Sequence, residues 1–181
     1  MLDFGVIKEI NKKAIESIKS DSDGESIQGI WKKTVFYGLF YAFPIALSIL
    51  SWYKNIEISN LEGYIATGIA IFTGLFFSLL LSIGAKVRAE KANKDIDQDN
   101  FQSFKTSMKQ IANITLYVII LGVFIFLLIL LNNILKSESY VYIEQVFTAV
   151  ILFLLGRFIV SLFFMVQRLF FLVRDELDNI L

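Results

Sequence analysis

The chain has 181 residues, 56% of them hydrophobic, with 17 basic and 17 acidic side chains that cancel. It contains neither Cys nor His. Those two zeros exclude disulfides, thiolate catalysis and thiolate-held metals, and they remove the commonest general base and metal ligand.

The first 33 residues are polar and charged, without the short apolar core of a signal peptide. Within them, residues 2–19 carry a helical pattern. Ile7, Ile10, Ala14, Ile15 and Ile18 fall on one face, and Lys8, Glu9, Lys12, Lys13 and Glu16 cover the other. Two placements fit this amphipathic helix. It can rest on the inner leaflet with its lysines near anionic headgroups, or it can act as a plug or lever docked at the cytoplasmic mouth of an assembly. Residues 20–26 (S-D-S-D-G-E-S) read as a hinge rich in capping residues.

Four long apolar runs follow, at residues 34–53, 63–85, 111–135 and 141–167. A helix needs about 20 apolar residues to cross ~30 Å of hydrocarbon, so each run is long enough to span. None shows the period-two alternation of a barrel strand, and a backbone in lipid must satisfy its amides internally, so the spans are predicted to be helices. The predicted fold is therefore all-α: a polytopic membrane protein of four transmembrane helices in two hairpins, led by an amphipathic helix. Residues 1–26 form the cytoplasmic or interfacial segment, and residues 27–181 form the membrane domain with a loop at 86–109.

Basic residues set the expected orientation. Lys8, Lys12, Lys13, Lys19, Lys32 and Lys33 precede the first span. Lys86, Arg88, Lys91, Lys94, Lys105 and Lys109 lie between the second and third, and Arg168 and Arg174 follow the fourth. The two other connections hold only Lys54 and Lys136. The positive-inside rule then places both termini and the central loop in the cytoplasm. Trp52, Tyr53, Tyr64, Tyr140 and Tyr142 mark the outer interface, and Trp31 the inner one.

In the first span Gly38, Ala42 and Ala46 form a small face, interrupted by Pro44, a candidate hinge or packing kink. In the second, Gly63, Thr67, Ala70, Gly74, Ser78 and Ser82 recur at steps of three and four along one face. Such a stripe suits a close helix–helix seam, and its hydroxyls at Thr67, Ser78 and Ser82 suit a weakly polar pore lining; either way the face is expected to point away from lipid. The third span is bulky, with Gly122 nearly its only small residue, and is expected to be the most lipid-exposed. At an offset of 82, Glu62 pairs with Glu144, Gly74 with Gly156, Phe76 with Phe158 and Lys86 with Arg168, a pattern compatible with a parallel duplication of one hairpin. Asp95, Asp97 and Asp99 begin like a calcium loop. The pattern then fails, with Asn100 where the sharp-turn Gly belongs and Thr106 where the bidentate Glu belongs, so a solvated turn is expected.

Arg157 stands about midway along the fourth span, where a charge costs at least ~2.5 kcal/mol. It has three readings: a cation lining a pore, a group hydrogen-bonding carbonyls or bracing a subunit contact, or a side chain snorkelling to inner headgroups. No carboxylate lies at matching depth in the sequence, since Glu62 and Glu144 sit near the outer ends. One arginine and scattered hydroxyls do not make a catalytic set, and no cofactor or metal is expected.

Two function classes remain. One is an oligomeric, channel-like or membrane-perturbing protein gated through its cytoplasmic face, for which four spans per subunit require a homo-oligomer around any pore. The other is a non-conducting anchor recruiting a cytosolic protein through residues 1–33, 86–109 and 168–181. Besides that partner, only the lipid bilayer is expected to be contacted, and no nucleic acid. Ile, Lys and Asn usage points to an AT-rich bacterial genome, and hence to a multi-pass protein of the bacterial inner membrane. In size and layout, though through no family motif, the chain resembles small multi-span effectors of bacterial antiphage and abortive-infection systems. That resemblance implies a nearby-encoded partner that senses infection and an action on the membrane.

Overall fold

The computed structural model describes residues 4–20, 30–54, 56, 58, 61–92, 98–135 and 141–178. The hinge beyond Ser20, Asp95 and Asp97 of the acidic motif, and Tyr140 lie outside the described residues.

Among the described residues the regular structure is all helical, with no strand. The elements in order are α1 (Phe4–Lys19), α2 (Ile30–Tyr37), a π-helical turn (Gly38–Ala42), α3 (Phe43–Lys54), α4 (Glu62–Ala92), α5 (Gln98–Leu135) and α6 (Val141–Asp178). Because α2, the π turn and α3 run on as one rod, the described residues form five rods. Four of them are long and apolar enough to cross a membrane: Lys33–Lys54, Glu62–Arg88, Phe104–Ile134 and Glu144–Phe171. Large apolar side chains such as Ile49, Leu75, Leu81 and Phe163 project outward from them. A surface so continuously apolar is wrong for water and right for acyl chains. The fold is that of a multi-pass membrane protein. Helices α4 and α5 also run past the apolar windows toward each other, as extensions of the second and third spans.

Helices α5 and α6 form the centre. The α2–α3 rod lies along α6, while α4 and α1 each pack on α5. From Ile111 onward the buried positions of α5 are Ile111, Ile114, Thr115, Tyr117, Val118, Leu121, Gly122, Ile125, Ile129 and Asn132. That three-and-four spacing makes one continuous inward face. Of the apolar window of α5, 44% is buried, against 17% for that of α4. The expectation that the third span is the most lipid-exposed is therefore overturned. Lipid tails are as apolar as leucine, so bulk alone does not send a helix outward. The deciding residues are the regularly spaced β-branched side chains, together with Gly122. A Cβ there would meet Ile69 Cγ2 at 3.0 Å and Thr73 Oγ1 at 3.1 Å, so α4 approaches α5 closely at this point.

Some polar groups inside the bundle find partners. Thr115 Oγ1 donates to Ile111 O at 2.7 Å, the usual fate of a hydroxyl within a buried helix. At the acidic end of the bundle, Asn132 Nδ2 donates to Glu62 Oε1 at 3.2 Å, tying α5 to the start of α4. The paired positions of the proposed duplication do not share surroundings. Phe76 and Phe158 are both buried, but Gly74 faces open space whereas Gly156 is pressed against Pro44.

Candidate functional site

Proline at position 44 has no amide hydrogen, and its ring crowds the carbonyl of residue 40, four back in the helix. The chain meets this with the π turn just before it, where Phe43 N–H reaches back to Gly38 O, five residues away. The wider turn keeps Phe36, Phe40 and Pro44, spaced by four, on one buried face. Phe36 and Phe40 stack there with ring centroids 5.3 Å apart. Pro44 is thus a buried packing residue with an adjacent register adjustment.

Opposite Pro44 stands Gly156 on α6. A Cβ there would meet Pro44 Cα and Cβ at 3.1 Å and Leu47 Cδ1 at 3.2 Å, so the absence of a side chain is what admits α3. The next residue is Arg157. Its guanidinium carbon lies 4.6 Å from the Phe40 ring centroid, 5.6 Å from that of Tyr117 and 5.8 Å from that of Tyr41. Three rings from two other rods thus form an aromatic cage around one cation. Cation–π attraction rises from ~0.5–1 kcal/mol at exposed sites to about 2 kcal/mol when the pair is desolvated. It replaces an ion pair, since among the described residues no carboxylate bridges Arg157. Nε and Nη2 of Arg157 are buried and have no hydrogen-bond partner. A charge held this way within an apolar bundle is a functional-site candidate.

Beside the cage lies α1. Its Ala14 and Ile18 are fully or nearly fully buried, while Lys8, Glu9, Lys12, Lys13 and Glu16 are exposed, so the predicted amphipathic faces are the ones observed. Lys12 lies 3.9 Å from Glu16 and Lys13 2.5 Å from Glu9. The Lys13 ammonium holds the Glu9 carboxyl below its ordinary value.

Two fixed contacts give the direction of α1. At the end of the bundle carrying Lys86 and Arg168, Asn113 Nδ2 donates to Ser17 Oγ at 3.2 Å. Arg168 Nη2 donates to the carbonyls of Ser17, at 3.3 Å, and Ser20. At the other extreme, Ile7 and Ile10 share one cavity with Leu121, Phe124 and Arg157. From Asn113 to Phe124 on α5, and from Arg157 to Arg168 on α6, the helix rises about 16 Å. From Ser17 to Ile7 on α1 it rises about 15 Å. The three rulers agree. Helix α1 runs antiparallel to α5 and parallel to α6, and its N-terminal half stands level with the middle of the spans.

The other residues singled out by sequence lie elsewhere. Gly63, Thr67, Ala70, Gly74, Ser78 and Ser82 are exposed on α4, and a Cβ at Gly63 or Gly74 would meet nothing. Gly38, Ala42 and Ala46 are exposed on the α2–α3 rod. Neither stripe packs against another helix of its own chain. Sequence reasoning missed Phe40, Tyr41, Tyr117, Ser17 and Asn113. One signal was present: Tyr41 and Tyr117 lie inside spans rather than in the interfacial belts, where tyrosines in membrane helices concentrate.

No protein-family model matches the chain, and no curated protein or solved structure is significantly similar to it.

Proposed function

We infer that the protein is an oligomeric, channel-like component of a bacterial inner membrane, with both termini and the basic connection in the cytoplasm. The carrying observation is the placement of α1. Its charged face stands at the depth of Arg157 and Phe124, beside helices whose outer surfaces are apolar. One charge at the bilayer centre costs at least ~2.5 kcal/mol, and α1 carries Lys8 and Glu9 near that depth, with Lys12, Lys13 and Glu16 between there and its anchored end. Turned toward acyl chains, that face is untenable; turned toward a lumen enclosed by several copies, it meets water. A single chain does not enclose such a lumen, so the assembly is a closed ring of copies.

In this arrangement Arg157 is not the pore lining. It sits behind α1 in its aromatic cage and supplies positive potential to the wall. The lumen is lined by Glu9, Lys12, Lys13 and Glu16, all exposed. Gating then amounts to movement of α1, which is held at its cytoplasmic end by Asn113 and Arg168.

The test is ion flux across proteoliposomes at matched incorporation. Wild type is expected to conduct. Lys12→Glu combined with Lys13→Glu is expected to shift the reversal potential toward cation preference under a salt gradient. Silence from both proteins, with α1 resistant to protease, would favour the non-conducting anchor instead.

A further inference from the structure

The seat of α1 is not filled. Between α1, α5 and α6 remains an open cavity of about 390 Å³. That volume lies toward the lower end of the ~300–1,000 Å³ typical of sites that take one small molecule. Its walls are made chiefly by Ile7, Ile10, Ile120, Leu121, Phe124 and Leu154. Four polar side chains border it: Lys8 and Asn11 from α1, Tyr117 from α5 and Arg157 from α6. Two are cations and the others a neutral amide and a phenol, and no carboxylate lines the cavity.

These features sort the candidate occupants. Water finds few partners against such walls, and waters stay in cavities by making several hydrogen bonds each. A neutral hydrocarbon would fill the volume and leave the charge of Arg157 without a counter-ion at the cavity wall. A cationic amphiphile would be repelled by Lys8 and Arg157. What satisfies walls and rim together is a single apolar chain ending in an anion that accepts charge-assisted hydrogen bonds.

We propose that the cavity between α1, α5 and α6 is a binding site for a fatty carboxylate. Its chain lies among Ile7, Leu121, Phe124 and Leu154, and its carboxylate lies between Arg157 and Lys8. Asn11 donates a further hydrogen bond at the rim. A bound chain would also complete the packing of α1 and so set how firmly that helix is seated. Binding is independent of conduction, so the site stands or falls apart from the channel proposal.

The experiment is equilibrium binding of dansyl-undecanoate to the purified full chain, followed by probe fluorescence and by displacement. Saturable binding of one probe per chain is expected, reversed by laurate but not by dodecanol. Arg157→Gln and Lys8→Gln are each expected to weaken binding roughly tenfold, as removal of a charge-assisted hydrogen bond does. Lys8 is exposed, so its variant tests the site even if the Arg157 variant misfolds. Leu121→Trp, which fills the cavity from α5, is expected to abolish binding, whereas Lys105→Gln on the exposed start of α5 is expected to leave it unchanged. Dodecanol competing as well as laurate would overturn the proposal, as would unaltered affinity in Lys8→Gln. Displacement by a lysophospholipid but not by laurate would overturn it too, by assigning the site to a phosphate headgroup.

Discussion

The surroundings of Arg157 and the outer face of α4 are both breaks in otherwise apolar helices, and the chain treats them oppositely. Around Arg157 it closes in: Gly156 admits Pro44, the π turn keeps Phe40 on the buried face, and Tyr41 and Tyr117 complete the cage. Along α4 it leaves Gly63, Thr67, Ala70, Gly74, Ser78 and Ser82 bare. Small and polar residues at helical spacing thus do not by themselves say that a face is packed. A costly charge is enclosed within the chain, while cheap small residues can be left bare.

The contrast can be broken most forcefully at Phe40, which is completely buried. Phe40→Ala removes the ring nearest the guanidinium and is expected to destabilise the protein by about 3–5 kcal/mol. On α4, Leu75→Ala is expected to cost far less, because Leu75 is 60% exposed. Thermal unfolding in detergent, followed by intrinsic tryptophan fluorescence, measures both. Equal losses would mean that α4 is packed as tightly as the cage.

Glycines give the next largest difference. Gly156→Leu must push α3 from α6 and is expected to cost roughly 1–3 kcal/mol. Gly74→Leu meets open space within the chain, so its unfolding midpoint is expected to stay within about 0.5 kcal/mol of wild type. The same variant is expected to lower the oligomer mass in mild detergent, as read by light scattering, if α4 is the face turned to the neighbouring copy. A smaller effect belongs to Asn132→Leu, which strips Glu62 of its partner; membrane hydrogen bonds average about 0.6 kcal/mol.

The smallest expected effect is one of pH. The folded Glu9 carboxyl titrates below its ordinary value of 4.5 because Lys13 is paired with it. Its contribution is therefore complete above the unfolded value and fades as pH falls through the lowered one. Amide exchange within α1 is expected to quicken slightly as pH falls below 4.5, and Glu9→Gln is expected to remove that dependence. Because the chain has no cysteine, single cysteines introduced along α1 can report the same loosening by thiol labelling without background.

Much of this architecture was legible in the sequence. The four spans follow from run length, α1 from its two faces, and Arg157 stands out by its cost in lipid. What could not be read were contacts between distant parts of the chain. Ser17 and Asn113 are 96 residues apart, and Ser17 and Arg168 are 151 apart, so periodicity holds no trace of the docking of α1. The cage escaped notice for a related reason. It depends on a π turn that moves the helical register by less than sequence spacing resolves, and on a close approach granted by Gly156. The misplacement of α5 had another origin: in lipid, hydrophobic bulk carries no directional information, and only side-chain shape and spacing do.

The antiparallel seat of α1 also dictates an order of assembly. Helix α1 leaves the ribosome before α5 and α6, yet its seat is made by Asn113 and Tyr117 of α5 together with Arg157 and Arg168 of α6. Until they exist, its charged face can lie at a membrane–water interface, where an amphipathic helix rests comfortably. A newly made chain therefore carries α1 before its seat exists. If α1 moves in gating, it repeats that docking step.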